Sequence, residues 1–185
     1  MKRIIAAVIL TIFFAGCTKG DAYLERGLAL REKMLQTRCS FTAKVTADYG
    51  DKLYNFAMKC ISDTNGAIVF TVAEPESISG ITGRISGTGG SITFDETVLA
   101  FELLADGEVS PVSAPWLLIK TLRSGYLTAC AQQSGNLRLT IDDSYEEDAL
   151  QLDILLNSND LPKYAEILWQ GRRVLSIAVE DFVFM

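Results

Sequence analysis

The sequence predicts an α+β domain dominated by a strongly curved antiparallel sheet of about nine to eleven short strands, with two helices covering it. Three observations carry this. Apolar and polar residues alternate with a period of two in run after run between Phe41 and Phe184. Turn signals such as Asp48-Tyr49-Gly50-Asp51, Asp106-Gly107 and Asn157-Ser158-Asn159-Asp160 separate the runs. Only two stretches, Ala22 to about Gln36 and Pro115 to Ser124, switch to helical periodicity. Strands joined by hairpins in up-and-down order give a barrel or a half-open barrel.

The chain opens with Lys2-Arg3, an apolar run from Ile4 to Phe14, and then Ala15-Gly16-Cys17. A basic start, a short apolar core and small residues before a cut site describe a secretory signal. The run is about half of the ~20 residues that span a bilayer. With a cysteine directly after Ala-Gly, the stretch resembles a bacterial lipoprotein signal. That resemblance implies cleavage before Cys17 and lipid on its sulfur; the alternative is an ordinary signal followed by a chance cysteine. The expected organisation is a signal at 1–16, a lipidated cysteine and tether at 17–21, and a single domain at 22–185. The mature chain would be extracytoplasmic and lipid-anchored to the bacterial cell membrane, inner or outer.

The first helix follows the tether, with Asp21 as its N-cap. Leu24, Leu28, Arg31 and Leu35 form a stripe expected to lie on the sheet, with Met34 beside it. The period then changes to two. Phe41, Ala43, Val45 and Ala47 alternate with polar residues, and after the turn so do Tyr54, Phe56 and Met58. A turn centred between Tyr49 and Gly50 sets Val45 opposite Tyr54, Ala43 opposite Phe56, Phe41 opposite Met58, and Cys39 opposite Cys60. Opposed residues in a non-hydrogen-bonded pair have Cα atoms about 4.5 Å apart, within disulfide range. A Cys39–Cys60 bridge is therefore expected; two buried thiols or an intermolecular pair are the alternatives.

Ala67 to Val72 reads as the third strand, closed by Glu74-Pro75. Gly80, Gly83, Gly87, Gly89 and Gly90 then mark bends between short strands at Ile81–Ser86 and Ser91–Phe94. They lack the Gly-Lys-Ser/Thr ending of a phosphate-binding loop. Thr97 to Leu103 is a further strand. The second helix has Ser113 near its N-cap, Pro115 in its first turn and Gly125 past its end. Trp116, Leu118, Ile119 and Leu122 give it a large apolar face, with Lys120 and Arg123 opposite. At about ten residues such a helix must dock to be stable. Tyr126–Ala131 and Leu137–Ile141 form a hairpin about Ser134-Gly135-Asn136, with Cys130 buried opposite Leu139. Leu150–Leu156 is a half-buried strand. Tyr164–Trp169 and Arg173–Phe184 pair about Gln170-Gly171. The last strand is apolar on both faces, so both are expected to be covered.

Composition restricts the chemistry. The chain has no histidine, which removes His-based triads and His metal ligands. Without Lys2 and Arg3 it carries 15 basic and 23 acidic residues, a net charge of −8. Nucleic acid is not an expected partner. The carboxylates Asp95 and Glu96, or Asp142 and Asp143, sit in turn-like sequence where tuning by burial is not expected. Asp142, Asp143, Glu146, Glu147 and Asp148 lack calcium-loop spacing; they read as a solvated loop or a docking surface for a basic partner. No enzyme, cofactor or metal site is expected.

The order of elements resembles the LolA/LolB-like superfamily of lipoprotein carriers and related periplasmic lipoproteins. A lipoprotein signal precedes an amphipathic helix, a hairpin from Phe41 onward, Gly-rich strands, a mid-chain helix and a final strand set ending Leu161-Pro162, Tyr164–Trp169 and Val174–Phe184. The resemblance implies an unclosed half-barrel that holds acyl chains in an apolar concavity. Phe41, Val45, Tyr54, Phe56 and Met58 would line it, and Trp116, Ile119 and Leu122 would belong to the lid. A narrower resemblance, to clostridial spore-germination lipoproteins, implies instead an interaction protein that binds an envelope partner such as a cell-wall hydrolase, as monomer or dimer.

Overall fold

The computed structural model describes residues 18–50, 52–94, 97–101, 104–105 and 108–185. The expected signal, Cys17, Asp95, Glu96 and the Asp106-Gly107 turn lie outside the described residues. The described residues begin with helix α1 (Thr18–Gln36). Its first turn uses the residues expected to form the tether. Strands β1 (Cys39–Asp48), β2 (Leu53–Ser62), β3 (Ile68–Glu74), β4 (Thr82–Ser86), β5 (Gly89–Phe94) and β6 (Thr97–Phe101) follow as a meander. A two-residue pairing of β7 (Leu104–Ala105) with β8 (Glu108–Val109) leads to helix α2 (Ala114–Ser124). The chain closes with β9 (Tyr126–Gln133), β10 (Asn136–Asp142), β11 (Leu150–Leu156), β12 (Pro162–Trp169) and β13 (Arg172–Phe184).

Eleven strands form one antiparallel sheet in the order β6-β5-β4-β3-β2-β1-β13-β12-β11-β10-β9. The first and last strands, β1 and β13, therefore pair at its centre, and β6 and β9 are its two edges. The edges do not pair with each other, so the sheet is an unclosed half-barrel, as the sequence resemblance implies. One face is apolar from β4 across to β10, with Ile85, Ile68 and Phe70 buried at one side of it. Phe41, Val45, Met58, Leu139, Leu152, Ile154, Ile167 and Ile177 are all buried on it. Helix α2 fills the concavity: Trp116, Leu117, Leu118, Ile119 and Leu122 are all buried. A helix apolar nearly all round belongs inside, and each such side chain contributes about 1.5–3 kcal/mol by leaving water.

Four expectations need correction. The β1–β2 turn is centred one residue later than expected, so Val45 faces Phe56, Ala43 faces Met58, Phe41 faces Cys60 and Cys39 faces Ser62. The apolar faces still coincide, because a shift of two positions preserves sidedness. The shift takes Cys39 and Cys60 out of direct opposition, and both are free thiols; the predicted bridge is absent from this structure. The second correction concerns α1, which turns Tyr23, Gly27, Leu30 and Met34 inward. Leu24, Leu28 and Leu35 are exposed instead. Third, β13 is covered on one face only. Asp181 adopts φ 53° and two residues of β13 are accommodated opposite Phe41, a bulge that reverses the alternation. Phe182 thereby turns inward and stacks on Phe41 with ring centroids 5.6 Å apart, while Val183 is exposed. Fourth, Cys130 is only half-buried, although it does face Leu139.

Candidate functional site

The concavity and the helix that fills it form the candidate site. Phe41, Val45 and Met58 are at most 3% exposed, and Ile119 and Leu122 are equally enclosed. Phe56 is half-buried against the same core, and Trp116 is buried near its margin. Tyr54 is exposed at the end of β2, where its ring meets Tyr49 edge-on. The eight residues singled out from the sequence thus share one side of the sheet and its plug, but Tyr54 stands outside the packed interior.

Two arginines hold the plug. Arg31 of α1 donates from Nε to the Leu122 carbonyl at 2.9 Å and from Nη2 to the Gly125 carbonyl at 2.7 Å. Arg123 of α2 donates to the Met34 carbonyl at the end of α1 and to the Thr64 carbonyl in the β2–β3 turn. Each helix therefore presents a cation to the other's C-terminal end, where carbonyls lack intrahelical partners and the helix dipole is negative. Burial lowers the Arg31 pKa, the cost of seating a charge between two helices. Sequence periodicity had placed Arg31 on an apolar stripe; its role follows only from the helix–helix contact.

Beside the plug is a pocket of about 580 Å³, within the roughly 300–1,000 Å³ typical of small-molecule sites. Leu35, Trp116, Leu117 and Leu150 give it apolar walls, and Asn65, Gly66 and Gly87 from hairpin tips complete it. Lys120, Arg123 and Asp143 supply the charged part. Lys120 pairs with Asp143 at 3.1 Å and lies over the Trp116 ring at 5.5 Å. Asp143 also accepts the Leu150 N–H at 2.8 Å. In a flattened sheet the β2–β3 and β10–β11 tips lie at opposite ends. Six strand steps separate β3 from β10, and at about 20–25° of twist per step they turn through roughly 120–150°. That twist folds both tips over α2. No sequence pattern marks these lining residues, because the sheet's twist assembles them.

The thiols are not nucleophiles. Burial pushes Cys39 up to about 11, partly offset by the charge of Arg123. Burial and the neighbouring Cys39 raise Cys60 further, and burial raises Cys130. All three stay protonated at neutral pH. Asp142 and Asp143 are occupied by structural hydrogen bonds to Gln151, Leu150 and Lys120. Among the described residues no group of three or more His, Cys, Asp or Glu side chains is placed to hold a metal ion.

These features define a class of fold: an antiparallel half-barrel, open along one side, with helices on its concave face. No family model matches the chain, and no curated protein matches it. Several solved structures are similar. An uncharacterized conserved protein from Thermus thermophilus is 11% identical over 88% of this chain and 87% of that one, with a TM-score of 0.49. A LolA superfamily protein from Nitrosomonas europaea is 11% identical over 86% and 93%, with a TM-score of 0.45. The Mycobacterium tuberculosis lipoprotein LppX is 12% identical over 87% and 93%, with a TM-score of 0.42.

Proposed function

We propose that this chain is an extracytoplasmic, lipid-anchored and non-enzymatic protein that binds a lipid, or the acyl chains of lipoproteins, along the concave side of its half-barrel. The observation that carries the reading is α2. It is a short apolar helix lying in an apolar concavity, with its C-terminal end held by two arginines. Lifting it would offer an acyl chain the surface formed by Phe41, Val45, Met58 and Phe56. Each methylene buried there would contribute about 0.8 kcal/mol. The pocket beside Trp116 is the natural entry, and its Lys120 and Arg123 suit a polar or anionic head group. Cys17 would carry the anchor.

Native mass spectrometry of the full chain, secreted with its own signal and held in detergent micelles, tests this. The expected spectrum has a lipid-sized mass excess lost on denaturation and a second, covalent excess that stays on the peptide containing Cys17. Phe56→Asp should lose the first and keep the second. A bare concavity in a chain that keeps its covalent lipid refutes the carrier reading. A second reading, an envelope protein that works by binding a partner such as a cell-wall hydrolase, is favoured by the close packing of Phe41, Val45 and Met58; a filled half-barrel needs no cargo.

A further inference from the structure

β9 is an edge of the sheet, and its side chains are largely exposed. It is the last strand in the sheet order, with β10 as its single strand neighbour. Six of its eight residues are exposed, including Thr128, Ala129, Ala131 and Gln133. Helix α1 covers only its concave face, where Gly27 lies against Leu127 and Cys130, and Tyr23 donates to Gln132 at 2.9 Å. Natural edge strands are usually protected by lysines, prolines or inward charges. β9, Tyr-Leu-Thr-Ala-Cys-Ala-Gln-Gln, carries none of these; its one irregularity is a bulge at Thr128, near the strand's start, where the register with β10 shifts between Thr140 and Ile141. From Ala129 to Gln133 its outer edge faces no strand among the described residues, and its side chains there are uncharged.

A second feature adjoins the strand's first residue. Tyr126 stacks on Tyr145 with ring centroids 3.5 Å apart, and Tyr145 is 82% exposed. Glu146, Glu147 and Asp148 follow, all exposed, and none forms an ion pair among the described residues. An exposed aromatic pair beside three unpaired carboxylates suits a cation.

From these two features together we propose that the free edge of β9 docks an extended segment of a partner protein, added as a twelfth, antiparallel strand with basic residues at its C-terminal end. The polarity follows from the sheet, in which every pairing is antiparallel. Such a strand runs against β9, so its last residues meet Tyr126 and the 144–148 loop. Eight residues at about 3.3 Å each span the edge, about 26 Å. Backbone hydrogen bonds give the affinity and the basic end gives the direction. A second copy of this chain fits less well. Pairing antiparallel through β9, it would set a neutral 133–136 turn against the carboxylates and bring together two chains of net charge −6. The site is separate from the concavity and does not depend on whether lipid binds there.

Fluorescence anisotropy with the full chain in detergent micelles tests the proposal. The probe is a labelled peptide of about eight residues, alternating Thr and Val and ending in Lys-Arg. Its controls are the same peptide in reversed order and two forms N-methylated at alternate residues. One N-methylated form should lose binding, because it removes the donors that face β9. The reversed peptide should bind about tenfold more weakly, and so should the parent peptide to the Glu146→Gln, Glu147→Gln, Asp148→Asn variant, with a flattened salt dependence. Equal binding by both N-methylated forms, or indifference to peptide direction, overturns the proposal. So does concentration-dependent self-association that Ala131→Lys abolishes, which would assign the edge to a second copy.

Discussion

Replacing Arg31 by methionine should release α2 without unfolding the sheet. Methionine keeps most of the apolar stem and removes the two N–H donors that reach Leu122 and Gly125 at 2.9 and 2.7 Å. A hydrogen bond from a charged group contributes about 1.5–3 kcal/mol when its partner is left buried. Here the freed carbonyls lie at a helix end where water can replace part of the loss, and a buried cation is no longer desolvated. About 1 kcal/mol per bond, or about 2 kcal/mol in all, is the expected cost. That corresponds to roughly a 30-fold rise in the open population and a fall in Tm of about 4–8 °C for a chain of this size. Native-state hydrogen exchange locates the effect. The amides of Leu118 to Leu122 should exchange about 30-fold faster and stay less protected than those of Leu152 and Ile154 in β11, which open only with the whole domain. Equal protection of α2 and β11 amides, before and after the substitution, would show that α2 does not open separately. No acceleration at all would show that the arginine clasp contributes nothing.

Two further perturbations probe the junction and the thiols. Gly125 has extended dihedrals, φ −70° and ψ 166°, so its role is space rather than handedness. A Cβ there would lie 2.6 Å from Ile141 Cγ2 and 2.8 Å from both Cγ2 and the carbonyl oxygen of Thr121. Gly125→Ala should destabilise by about 2 kcal/mol through overpacking, read as a lower urea midpoint at unchanged slope; a neutral effect would mean that the α2–β9 junction yields freely. Alkaline pH should weaken the fold through Cys39 and Cys60. Their folded pKa values are raised by burial, Cys39 from 9.0 to about 11. Above pH ~9 the unfolded chain gives up thiol protons that the folded chain keeps, so stability is intact below that pH and falls as pH rises, by up to about 1.4 kcal/mol per unit per thiol. Urea midpoints at pH 7, 9 and 10 should fall more steeply for the native chain than for Cys39→Ala/Cys60→Ala; parallel lines would refute the linkage.

Some of this molecule is written locally and some is not. Period-two alternation, turn residues and the two helical stretches determined the strands, the α2 segment and the antiparallel class, because each depends on neighbours in the chain. The β9–β10 register was legible too: Ser134 and Gly135, with φ 51° and 83°, make the tight turn that sets Cys130 opposite Leu139. Sidedness along longer elements was not. In α1 two stripes compete, and the more leucine-rich one lost. Gly27 is what lets the other stripe approach β9 and β10, where a Cβ would already be 3.1 Å from Leu139 Cδ2 and 3.6 Å from Leu127 Cδ2. In β13 the bulge at Asp181 turned Phe182 inward, which no alternation count reveals. The β1–β2 register, and with it the absence of a Cys39–Cys60 bridge, turned on one extra step of a loop. The arginine clasp and the pocket needed the whole sheet, since twist accumulated over six strand steps brings their parts together. Periodicity says which residues seek burial; only the assembled sheet decides which face is buried and which charges meet across it.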